Sequence, residues 1–129
     1  MLLVILLTLA AFSGSKAPEN LGNATAPTDP VSGEALFQQV TLGDVPGCIA
    51  CHSLEPDTVL VGPSVAGIGS LAKERVPDQS AAAYLRQSIV DPDAYVVAGF
   101  TKGVMFQNYG EALSEEQIDA LVSFLLTLE

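Results

Sequence analysis

The chain has two cysteines and one histidine, and all three stand together in "DVPGCIACHSLEP" as Cys48, Cys51 and His52. Several chemistries use such a cluster. A structural zinc site takes four Cys or His ligands, whereas this chain supplies three, two of them adjacent. A thioredoxin-like dithiol follows a strand in a βαβ pattern, and none surrounds this segment. A nucleophilic Cys–His pair usually comes from distant parts of a chain. A disulfide across so short a loop would remove little chain entropy. The remaining chemistry is C-x-x-C-H, the spacing of covalent c-type haem attachment. Both thiols become thioethers to the porphyrin, and the adjoining imidazole binds iron from one side. The residues therefore point to one haem c held by Cys48 and Cys51, with His52 as a metal ligand.

Such an iron needs a second axial ligand or keeps an open position. There is no second histidine. Met1 lies in an apolar leader, which leaves Met105 as the foremost candidate for the second metal ligand. Methionine is ordinarily an adaptable core filler, but Met105 falls in loop just ahead of the last helix. Lys102, Asn108 or an empty position are the alternatives. His/Met ligation raises the reduction potential and closes both axial sites. That favours an electron carrier over an enzyme. An open iron would instead mean a haem enzyme or gas sensor, and a haem serving only as a staple would mean a structural subunit.

Three helices are expected to position these groups. "SGEALFQQV" has Ser32 as N-cap and Leu36, Phe37 and Val40 on one side. "PDQSAAAYLRQSIV" has Asp78 or Ser80 as cap and Ala81, Tyr84, Leu85 and Ile89 as its buried stripe. It stops before Asp91-Pro92, where the proline disfavours helix in the preceding residue. "SEEQIDALVSFLLTLE" opens on the capping-box pair Ser114 and Gln117, followed by Ile118, Leu121, Val122 and Leu125. The Gly-rich "VGPSVAGIGSLA" and the stretch from Asp91 to Leu113 read as loop. Loops this long are unusual in a self-sufficient helical domain, so something besides the chain should fill the middle.

Ahead of the domain, Met1–Phe12 is apolar apart from Thr8. Such a helix would span ~18 Å, short of the ~30 Å hydrocarbon core of a membrane. It reads as a membrane anchor or signal segment. The missing basic n-region favours a retained anchor, with the remainder exported either way. Ser13–Pro30 is rich in Pro, Gly, Ser, Asn, Thr and Ala and reads as a flexible tether. The domains expected are thus 1–12, 13–30 and 31–129. The formal net charge of −10, with five basic residues, argues against nucleic acid and against anionic headgroups as partners. It favours redox partners with a basic docking surface.

From about Val31 to Glu129 the sequence resembles the class I monohaem cytochromes c. The resemblance runs through the first helix with Gly33 and Phe37, then "CIACH", "GPSVAGI", "YLRQSIVDPDAYVV" and "GVMFQNYGEALSEEQIDALVSFLLTL". It implies an all-α cytochrome c fold, three main helices plus long loops around one covalently bound haem. It implies that Pro63 offers its carbonyl to the other nitrogen of the axial imidazole. It implies that Gly33 and Phe37 meet Leu121, Phe124 or Leu125 where the first and last helices cross. The family often has proline directly after the ligand methionine. Phe106 stands there instead, which implies a less rigid loop. Tyr95, Tyr109 and Arg86 are candidates to contact the haem carboxylates. The second half further resembles cytochrome c domains of membrane respiratory complexes, including the monohaem subunit of alternative complex III. The expected location is the extracytoplasmic face of a bacterial membrane.

Overall fold

Three serines start the helices that frame the domain. The computed structural model describes residues 31–129, and the leader and tether expected at 1–12 and 13–30 lie outside the described residues. In chain order come α1 (Gly33–Phe37), a two-residue antiparallel pair of β1 (Thr41–Leu42) and β2 (Val45–Pro46), and a 3-10 turn at Cys48–Ala50. Next are α2 (Ile68–Leu71), which runs on into a 3-10 turn at Ala72–Glu74, then α3 (Ala81–Val90), α4 (Tyr109–Ala112) and α5 (Glu115–Leu126). The all-α class expected from the sequence is the one the chain adopts.

Each framing helix begins where a hydroxyl can satisfy a free N–H. Ser32 accepts from Ala35, Ser80 from Ala83, and Ser114 from Gln117, all at 3.2 Å. At α5 the box is reciprocal, because Gln117 Oε1 accepts from the Ser114 N–H at 2.9 Å. Asp78 is not a cap; it sits at φ +62° in the turn before Ser80.

The apolar stripes of α1, α3 and α5 meet in one core. Phe37, Ile118 and Leu121 are its largest fully buried side chains. Gly33 lets α1 lie directly on α5. A Cβ at this position would collide with the Ala120 carbonyl and stand 2.8 Å from Phe124 Cβ. Phe37 and Phe124 pack beside it with ring centroids 5.6 Å apart. Gly33→Ala is therefore expected to cost about 3 kcal/mol of unfolding free energy. Ser32→Ala, which removes only the cap, should cost about 1 kcal/mol. Denaturant unfolding of the haem-loaded proteins measures both. Equal costs would mean that the crossing opens without strain.

Three expectations need correction, the first being that the stretch from Asp91 to Leu113 is all loop, since it contains α4 at Tyr109–Ala112. Val40 is 69% exposed and no part of the helix, because α1 ends at Phe37 and the chain turns into β1. The Gly-rich segment contains α2, whose Gly69 N–H donates to the Leu128 carbonyl at 2.7 Å beyond the end of α5. Tertiary contact at that glycine overrides its poor intrinsic helix propensity. Among the described residues, no helix is long and apolar enough to cross a membrane.

Candidate haem-binding cavity

The cysteine–histidine segment is folded by its own backbone. Cys51 N–H and His52 N–H both donate to the Cys48 carbonyl, at 3.1 and 2.9 Å. That tight turn brings Cys48, Cys51 and His52 onto the wall of a single cavity of about 870 Å³. The next segment folds back on the turn. Gly62 N–H donates to Cys51 O at 2.8 Å, and Val65 N–H to Ser53 O at 2.9 Å. Between these two bonds, the Pro63 carbonyl comes to 2.8 Å from His52 Nδ1. Donation from Nδ1–H leaves Nε2 with a free lone pair. The ring also lies against Gly62, where a Cβ would stand 2.9 Å from Nδ1. Burial pushes the His52 pKa below its ordinary value, and the Pro63 carbonyl opposes that more weakly. A neutral, oriented imidazole is the form that ligates metal.

The long connection between α3 and α4 supplies further lining of the same cavity. Met105 lines the cavity from there, together with Phe106, Asn108 and Tyr109. Lys102 is exposed and does not line it. Phe106 packs edge-on against Tyr109 at 5.0 Å. The Tyr109 hydroxyl donates to the Pro46 carbonyl at 2.7 Å, joining this wall to the start of the cysteine turn. Burial pushes the Tyr109 phenol up to about 12. Leu85, Ile89, Leu121 and Leu125 close the apolar floor.

The residues fit a haem in three respects. The volume is in the range of cofactor sites, and the lining is mostly apolar. Burial pushes the Cys48 thiol up to about 11. It is thus protonated at neutral pH and a poor nucleophile, whereas a thioether carries no charge to desolvate. Finally, Arg75 lines the cavity and its buried Nε has no hydrogen-bond partner. A partly buried cation whose buried Nε–H is idle calls for an anion, and haem carries carboxylates. No group of three or more His, Cys, Asp or Glu side chains among the described residues could hold a metal ion instead.

Of the three side chains read from sequence as contacts for those carboxylates, Arg86 and Tyr109 have other polar partners, and Tyr95 lines the cavity. Arg86 is drawn to the surface of α5, paired with Glu115 and with Asp119 at 2.7 Å. Tyr109 is spent on Pro46. The Tyr95 ring is held edge-on against Tyr84 at 5.7 Å. Arg75 escaped the sequence reading, since nothing local distinguishes it from the other basic residues.

An apolar cavity with a C-x-x-C-H turn on one wall defines a protein that carries a covalently bound haem. A family model described as Cytochrome c matches residues 30–129, and the chain belongs to the cytochrome c family. Searches of the curated proteins and of the solved structures returned no match. Membership implies haem c, the cytochrome c fold and haem-based electron transfer.

Proposed function

We propose that the protein is an exported, membrane-tethered electron carrier at the extracytoplasmic face of a bacterial membrane. It relays electrons within or from a respiratory or photosynthetic complex, for example as the monohaem subunit of alternative complex III. Bound haem c supplies a one-electron iron couple. Cys48 and Cys51 hold it covalently. His52 ligates through Nε2, with Nδ1–H fixed on the Pro63 carbonyl. Met105 provides the second axial ligand, and Arg75 meets the carboxylates. The observation that carries a carrier rather than an enzyme is that Met105 shares one cavity with His52. Iron closed on both sides passes electrons without binding substrate.

The net charge of −10 suits a partner with a basic surface. The exposed Val61 and Val104, both on the cavity wall, supply an apolar rim within it. Electron transfer to a basic partner is expected to slow several-fold between low and physiological ionic strength, as the ~8–10 Å Debye length screens the attraction. A rate indifferent to salt would assign the contact to the rim alone and remove the charge argument. Purification from membranes tests the tether: recovery with an electron-transfer complex supports it, and a fully soluble carrier rejects it.

A further inference from the structure

We infer that Asp93 is the positioning residue that keeps Met105 on the iron, an inference that rests on Met105 being the second axial ligand. The loop carrying Met105 has little to hold itself in place. No helix or strand occurs between Val90 and Tyr109. Phe106 follows Met105, so no proline ring fixes the backbone there. Gly103 stands at φ +74°, and residues 101–104 are all exposed.

A carboxylate holds what burial does not. Asp93 Oδ1 accepts the Gly103 N–H at 2.8 Å, and Gln107 Nε2 approaches the same oxygen at 3.4 Å. Gln107 Nε2 also donates to the carbonyl of Met105 itself, at 2.7 Å. Asp93 thus reaches the loop on both sides of Met105, through the main chain at 103 and through the amide at 107. An ionised acceptor makes such bonds stronger than neutral ones. The anchor is firm in its turn. Asp91 N–H donates to Gln87 O at 2.7 Å where α3 ends, Pro92 is buried, and Ala94 N–H donates to Asp91 O at 3.0 Å. The carboxylate is therefore fixed to the end of α3, which packs on α5. The clamp does the work that proline after the methionine would otherwise do.

The test uses holoprotein and two readouts. One is the weak red-edge charge-transfer absorption of oxidised iron bound to a thioether. The other is the rate of cyanide binding, which requires the thioether to leave. Asp93→Ala should weaken the absorption and speed cyanide binding about tenfold. Asp93→Asn, which keeps an acceptor oxygen in place, should stay within about threefold of the parent. Gln107→Leu should accelerate binding in the same direction, and it decides the question if Asp93→Ala does not fold. Parental absorption and cyanide rate in the alanine variant, with only a lower unfolding midpoint, would reduce Asp93 to a fold contact and overturn the inference. A Met105→Ala arm separates the two readings. If the absorption survives there, the ligand assignment has failed; if it vanishes there while both clamp variants behave as the parent, the clamp alone has failed.

Discussion

Met105→Ala is expected to lower the reduction potential by an amount on the order of 100 mV or more, and to let carbon monoxide bind the reduced iron. A thioether is a soft, neutral donor that favours the lower oxidation state. Alanine cannot reach the iron, so water or a small ligand takes the position and the oxidised state gains. The change is not confounded with collapse of the core, because Met105 is only partly buried and lies on the cavity wall. A redox titration and a carbon monoxide difference spectrum measure the two effects. An unchanged potential with no carbon monoxide spectrum would return Met105 to the role of core filler. It would leave Asn108, on the same wall, as the remaining candidate.

What could be read from the sequence was what the chain settles locally. The cysteine–histidine turn was legible because its three groups lie within one turn of backbone. α3 and α5 were legible because each carries its own cap and apolar stripe. Met105 was chosen by elimination, since a chain with one histidine and one methionine outside the leader offers few ligands, and it lines the same cavity as His52. What escaped depends on distant partners. α2 contains two residues of poor promise, Gly69 and Ser70, and is held by the Leu128 carbonyl. Arg86 looked like a haem contact until α5 placed Glu115 and Asp119 beside it. The Asp93 clamp joins a helix end to a loop ten residues on, and no periodic pattern marks it.

Without haem, the chain is expected to show no cooperative unfolding transition. The cavity is about 870 Å³ with a mostly apolar lining, so the bound macrocycle supplies packing that the chain lacks, and a whole domain is typically held together by only ~5–15 kcal/mol. Secondary structure should suffer as well, because α1, α2 and α4 have five residues or fewer and cannot persist alone. Circular dichroism of a Cys48→Ala/Cys51→Ala double variant, prepared free of haem, measures this. A sharp thermal transition with native helix content would show that the protein core suffices by itself.

The contact of α1 with α5 also fixes the order in which the protein can be made. The two helices stand at opposite ends of the described chain, and Gly33 has no surface to rest on until Ala120 has arrived. Synthesis delivers the first helix early and its partner last. The sulfur bonds can be made while both thiols are still exposed, before burial raises the cost of reaching them. The cavity wall that Leu121 and Leu125 contribute is therefore complete only once the last helix is in place.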